Sequence, residues 1–189
     1  MILATNNKGK LMEIKKILKE YQIYSLRDKN INIDVIEDEN TFYGNALKKA
    51  REIYAISGEP VIADDSGLCI TALNDFPGVL THRFLGEDAT DEERNNDLIR
   101  RVNNVSDRKA KVICNLVYYD GKDILVGEGI LEGKIAINPR GQNGFGFDPI
   151  FELENGKTLA ELTEEEKNTL SARYLAAVAL SNKIKKLHK

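Results

Sequence analysis

Apolar and polar positions change period several times along this chain, and each change marks an element. Ile2 to Thr5 is a short apolar run that predicts a buried strand, followed by an Asn6-Asn7-Lys8-Gly9 loop. Leu11, Ile14, Ile17 and Leu18 then recur at helical spacing. Ile31, Ile33 and Val35 alternate, which predicts a strand over 31–36. Thr41 is placed to cap a second helix that carries Phe42, Ala46, Leu47, Ala50 and Ile53 inward, with Gly58 as its C-terminal stop. Val61-Ile62-Ala63 and Leu68-Ile70-Ala72 predict two short buried strands. Thr90 and Glu93 form a capping box ahead of Leu98, Ile99 and Val102. Ala110 to Tyr119 predicts a long strand, and Asp120-Gly121 a hairpin into 124–135. A last helix opens with the capping box Thr163 and Glu166 and runs through Leu170, Tyr174, Ala177, Ser181 and Ile184. Interleaved strands and helices plus one hairpin predict a single α/β domain over 1–189 with a mixed sheet.

Composition narrows the function. The 189 residues carry 27 Lys and Arg against 30 Asp and Glu, a net charge of −3. No broad basic surface is expected, which disfavours a stable nucleic-acid partner. No apolar run approaches the ~20 residues of a membrane span. The first residues turn polar at once, so no signal-peptide core is expected. Cys69 and Cys114 have neither a disulfide framework nor zinc spacing and read as buried thiols, and the expected location is cytoplasmic.

Five strings carry candidate chemistry. Thr5-Asn6-Asn7-Lys8-Gly9-Lys10 joins a strand to a helix, an arrangement that offers backbone N–H groups to a phosphate, although lysines there oppose the helix dipole. It lacks the Walker A spacing, and a solvated turn is the alternative. Val61-Ile62-Ala63-Asp64-Asp65-Ser66-Gly67 ends a buried strand with two carboxylates. Adjacent strand residues face opposite sides, so one acid is suited to hold Mg²⁺ and orient water while the other caps a turn; a plain Asp-Ser-Gly turn is the alternative. Glu37-Asp38-Glu39 precedes the helix bearing Lys48 and Lys49, as a solvated acidic approach or a source of one hard oxygen ligand. Gly141 to Pro149 sets glycines beside Phe145 and Phe147, either packing aromatics in the core or offering a stacking face, with Asp148 as acceptor. Lys167, Ser171 and Arg173 start the last helix, where Arg173 lies about 120° round from Lys167 and both serve one ligand only if the helix is distorted.

Together and in this order, these strings resemble the Ham1-like inosine triphosphatase family, Mg²⁺-dependent pyrophosphatases of non-standard purine nucleoside triphosphates. The resemblance runs from Leu3 to Lys10 through Thr41-Phe42, Asn45-Ala46, Lys49-Ala50, Ala63 to Leu68, Pro77-Gly78, Gly86-Glu87-Asp88-Ala89-Thr90, Gly144 to Phe151 and Ala160-Glu161-Leu162. It implies a strongly twisted mixed β-sheet flanked by helices, a substrate cleft between two lobes, and a homodimer. It implies Glu37 and Asp65 as Mg²⁺ ligands, with Asp65 also the general base. The triphosphate falls to Thr5, Asn6, Asn7, Lys8, Gly9, Lys10 and Lys49, with Ser66 as a further substrate contact. The base falls to Phe145, Gly146, Phe147, Asp148, Lys167, Ala172 and Arg173.

Two departures stand out. The family usually has Ser-His-Arg where this chain has Ser171-Ala172-Arg173, and often a small residue where His82 stands. His82 is expected at the surface or as a substitute for the missing ring. Phe147 replaces a tyrosine or tryptophan and removes a polar handle. Competing functions are a Maf-like pyrophosphatase of other bases, a nucleotide-sensing module, and a nucleic-acid binder.

Overall fold

The fold is organised around one ten-residue strand, β3 (Val61–Ile70), in which every residue is buried. The sequence predicts two strands broken by a turn. The structure, a computed structural model that describes residues 1–86 and 88–187, shows one continuous strand instead. The polar residues Asp64, Asp65 and Ser66 do not interrupt it because each finds a partner in the interior. The chain forms two compact units, and β3, β5 (Lys109–Tyr119) and β6 (Ile124–Ile135) each contribute to both. With β1 (Ile2–Leu3), β2 (Tyr24–Ser25), β4 (Phe76–Pro77) and β7 (Phe151–Glu152), the sheet order is β2-β1-β3-β5-β6-β7, with β4 on β3. Parallel pairing of β1 with β2 and β3, and antiparallel pairing of β3 with β4 and β6 with β7, make the sheet mixed.

The first unit contains residues 1–66, 114–129 and the last helix. Its helix α1 (Lys8–Ile17) starts inside the predicted loop, because the Asn7 side chain accepts the Lys10 N–H and supplies the cap. Helix α2 (Phe42–Ser57) has the predicted boundaries: Thr41 caps the Gly44 N–H, and Gly58 takes a left-handed φ of 64°. Its buried face joins Ile2, Ala4, Val61, Ala63 and Val117 in a core. The strand expected over 31–36 does not form. Ile31, Ile33 and Val35 pack against that core, so the alternation reflects one-sided burial of an extended segment with no ladder.

The second unit contains residues 67–113 and 130–171. Here α3 (Asp91–Arg101) opens with the predicted Thr90–Glu93 capping box. Buried Arg94 donates to the carbonyls of Phe84 (3.0 Å), Gly86 (2.7 Å) and Ala89 (2.5 Å), which ties down the segment ahead of that helix. Glu87 lies outside the described residues. Thr163 and Glu166 do form a capping box, but the predicted last helix is two: α4 (Glu164–Lys167) and, beginning the first unit's final segment, α5 (Ala172–Leu187). The break removes the angular constraint that an ideal helix sets between Lys167 and Arg173. Among the described residues no helix is long and apolar enough to cross a membrane.

In the first unit α5 lies directly on two glycines of β6. A Cβ on Gly127 would come within 2.1 Å of the Ala176 carbonyl oxygen, and one on Gly129 within 2.0 Å of that of Ala172. Backbone cannot yield as a side chain does, so Gly129→Ala should lift the helix and cost about 1–3 kcal/mol. That corresponds to a Tm lower by roughly 2–12 °C, measured by thermal unfolding. An unchanged Tm would show that the close approach is dispensable.

Candidate active site

The two aspartates of β3 point to opposite sides, as strand geometry requires. Asp65 turns toward α2, where its Oδ2 accepts from Asn45 Nδ2 at 2.8 Å. Its Oδ1 accepts the Ser66 N–H at 2.8 Å. Asn45 is fully buried and uses the other end of its amide to accept the Glu39 N–H at 3.0 Å. One turn on, Lys49 pairs with Glu37 and donates to the Asp64 carbonyl at 2.5 Å. Two side chains of one helix face thus hold the acidic segment 37–39 against the middle of β3. Burial pushes the Asp65 carboxyl up to about 6; Lys49 pulls it down and Glu37 adds to the rise. Burial lowers the Lys49 ammonium, but Asp64, Glu37 and Asp65 outweigh it and leave the pKa raised.

Asp64 turns the other way. Its Oδ2 lies 3.2 Å from Lys10 Nζ and 3.4 Å from Arg173 Nη2. Arg173 also pairs with Glu13 of α1 and donates to Ser66 Oγ at 3.0 Å. All these side chains are buried. Burial alone would raise the Asp64 carboxyl, but Lys10, Arg173 and Lys49 together hold it well below the usual range. Asp64 therefore caps no turn.

The loop ahead of α1 has its own order. The Asn7 N–H donates to Thr5 Oγ1 at 3.1 Å. Asn6, Asn7 and Lys8 are exposed, Gly9 is half-buried and Lys10 is buried. Helix starts leave N–H groups without intrahelical partners, so this exposed turn suits an anion, and the salt bridge of Lys10 to Asp64 offsets the unfavourable dipole.

The second unit gathers the remaining predicted residues except Ala172 and Arg173. Asp148 accepts from Lys167 Nζ at 2.6 Å and from the Phe145 N–H at 2.8 Å. The Lys167 ammonium lies 4.6 Å from the Phe145 ring centroid. One face of that ring therefore steadies the lysine. Lys167 is 8% exposed, which overturns a solvated helix face for it. Gly146 accepts from Asn95 Nδ2 at 2.9 Å and its N–H donates to Asp91 Oδ2 at 2.9 Å, so α3 anchors the glycine-rich loop. Gly144 has a φ of 79°, and a Cβ there would sit 2.0 Å from Asp148 Oδ2. Ala172 is buried at the start of α5, His82 is exposed, and both thiols are buried, Cys69 pushed up to about 11 and Cys114 to about 12 by burial.

A family model described as the Ham1 family matches residues 1–183. This chain belongs to the Ham1 family. It is similar to a dITP/XTP pyrophosphatase of Thermoanaerobacter sp. (strain X514), 45% identical over 98% of this chain and 96% of the relative. The Ham1 protein structure from Coxiella burnetii matches with a TM-score of 0.90 at 38% identity, covering 98% of each chain. That from Staphylococcus aureus matches with a TM-score of 0.89 at 34% identity, over 100% of this chain and 98% of the other. These likenesses support the mixed-sheet α/β fold expected from the Ham1-like strings.

In this Ham1-family chain, Glu37, Lys49, Asp65, Lys10, Ser66 and Arg173 fall in the first unit, and Phe145 to Asp148 with Lys167 in the second. Sequence reasoning gave no role to Glu13, Asn45, Asp91 or Asn95. Glu13 shares a buried helix face with Lys10 and Ile14, a polar residue at an apolar position, and that is the signal that marks it. Among the described residues no three His, Cys, Asp or Glu side chains group to hold a metal. Glu37 and Asp65 nevertheless supply an oxygen-only pair, the donor type that suits Mg²⁺, which takes one or two carboxylates and completes its shell with substrate phosphates.

Asp148→Asn should leave buried Lys167 without its carboxylate and cost about 1–3 kcal/mol. Thermal unfolding without nucleotide should show the loss, and a wild-type Tm would mean that Asp148 does not stabilise Lys167.

Proposed function

We propose that this chain hydrolyses non-standard purine nucleoside triphosphates (ITP, dITP and XTP) to the monophosphate and pyrophosphate, clearing them from the nucleotide pool. The observation that carries the reading is the buried convergence of Lys10 and Lys49 on the Asp64-Asp65 pair, in a chain whose relatives are named dITP/XTP pyrophosphatases. Residues 1–189 then act as one catalytic domain.

Thr5, Asn6, Asn7, Lys8, Gly9 and Lys10 bind the triphosphate through the exposed turn and the start of α1. Lys10 and Lys49 stabilise charge developing on the pyrophosphate leaving group. Water attacks the α-phosphorus, and Asp65 takes its proton. A carboxylate raised toward neutrality is a stronger base than a solvated one, and its hydrogen bonds to Asn45 and Ser66 fix its orientation. Glu37 and Asp65 would hold Mg²⁺, which when bound neutralises phosphate charge and makes water more acidic. Ser66 contacts the substrate.

Phe145, Gly146, Phe147, Asp148, Lys167, Ala172 and Arg173 read the base. Lys167, steadied by Asp148 and Phe145, donates to the 6-carbonyl of hypoxanthine or xanthine. Adenine carries a donor at that position and would set its amino N–H against the ammonium, a mismatch of ~1–3 kcal/mol or roughly 5- to 150-fold. The enzyme is read as cytoplasmic, without a nucleic-acid or membrane partner, and as the homodimer that the family resemblance implies; the net charge of −3 argues against a stable nucleic-acid partner, and sedimentation tests the dimer.

Asp65→Asn should remain folded, at a cost of about 1–3 kcal/mol for one lost buried acceptor, and lower turnover of ITP by about 10²–10⁴-fold. More than about a tenth of wild-type turnover would remove Asp65 as the base, since general-base losses are larger than that. Pyrophosphate, read by a coupled assay, should be the first product from ITP. Orthophosphate from enzyme free of inorganic pyrophosphatase would refute attack at the α-phosphorus. Across ITP, XTP, dITP and ATP, kcat/KM should favour the first three.

A further inference from the structure

Asp64 touches three cations. Its carboxylate lies 3.2 Å from Lys10 Nζ and 3.4 Å from Arg173 Nη2, and its carbonyl accepts from Lys49 Nζ at 2.5 Å. These cations come from the start of α1, the start of α5 and the middle of α2. Asp64 itself is 1% exposed, and the cations are 6–9% exposed. A lysine has a flexible stem and three donors, and without a fixed partner it would sample many positions at an entropic cost on each binding event. β3 is a firm support, because it is buried along its whole length.

We propose that Asp64 is a positioning residue that fixes Lys10, Lys49 and Arg173 in the arrangement that receives the substrate, while its neighbour Asp65 performs the chemistry. The inference rests on the pyrophosphatase reading above and adds to it. Asp64 touches no reacting atom. Its carboxylate offsets buried positive charge and orients Lys10 and Arg173, and its carbonyl orients Lys49, so a polyphosphate meets donors already in place. The sign of the effect separates this role from simple electrostatics. Removing a negative charge beside three cations would by Coulomb's law tighten anion binding. Losing their orientation would weaken it.

The test is pyrophosphate binding by calorimetry and as competitive inhibition of ITP turnover, for the wild type, Asp64→Asn and Asp64→Glu. Asn is isosteric, but it removes the charge and replaces one acceptor oxygen with an amide donor, so it can no longer orient both cations. Glu keeps the charge, so the buried cations stay compensated, but moves the carboxylate by a methylene. Both variants should bind pyrophosphate about tenfold or more weakly, the scale of a lost charge-assisted hydrogen bond. KM for ITP should rise in step. Binding as tight as or tighter than wild type in folded Asp64→Asn would overturn the inference. If Asp64→Asn does not fold, Asp64→Glu decides: wild-type affinity overturns the inference and weakened affinity supports it. A wild type that binds pyrophosphate yet releases none from ITP would refute the functional reading and leave the positioning role standing on the variants' affinities. If the wild type releases pyrophosphate from ITP but does not bind it measurably, KM for ITP decides: an unchanged KM in folded Asp64→Asn overturns the inference and a raised KM supports it.

Discussion

Two adjacent carboxylates in the middle of a fully buried strand set the terms for the rest of the first unit. An ionised carboxylate in the interior is tolerated only when cations and donors surround it. Asp64 answers that demand with Lys10 and Arg173, and Arg173 in turn requires Glu13. Asp65 answers it differently, with two uncharged donors from Asn45 and Ser66 and a carboxyl raised to about 6. Strand alternation keeps the environments apart. One acid is held firmly ionised among cations, and the other carries a carboxyl raised by burial to about 6. On the proposed reading, this difference makes one carboxylate structural and its neighbour reactive.

The same demand explains which features were legible in the sequence. Helix starts are local: Thr41, Thr90 and Thr163 each bond an N–H three residues on, and all three were readable from spacing. So was the hairpin at Asp120-Gly121. The partners of buried polar residues are not local. Glu13 meets Arg173 across 160 positions, and Asn45 meets Asp65 across 20. No periodicity announces such pairs. The two strands read at 61–63 and 68–72 are one strand that ends at Ile70, for the same reason, because what lets Asp64 to Ser66 stay inside lies far away in sequence. The alternation at Ile31, Ile33 and Val35 misled in the opposite sense, since one-sided burial needs no ladder.

The glycine-rich loop shows the limit of motif reading. Its glycines and phenylalanines suggested a stacking platform. In the structure the order comes from Asp148, which accepts from the Phe145 N–H and from Lys167, and from Asp91 and Asn95 of α3, which hold Gly146 from both sides of its backbone. Gly144 is required because Asp148 fills the place of a side chain. Phe147 removed a polar handle that the resemblance supplies, yet the loop keeps its shape through backbone and carboxylate contacts.

A donor held in place by two neighbours discriminates better than a mobile one. Lys167 is fixed by the Asp148 carboxylate and the Phe145 ring, so it cannot swing aside to escape a ligand that offers it no acceptor. The free energy of the mismatch is then borne by the complex, as one N–H donor set against another, and is not relieved by rearrangement. On the proposed reading this makes rejection of adenine a consequence of rigidity as much as of hydrogen-bond pattern. The same logic operates in the first unit, where Asp64 restrains the cations. Both units spend acidic side chains on fixing basic ones, which is how a chain of net charge −3 can present tightly placed positive charge to a polyanion.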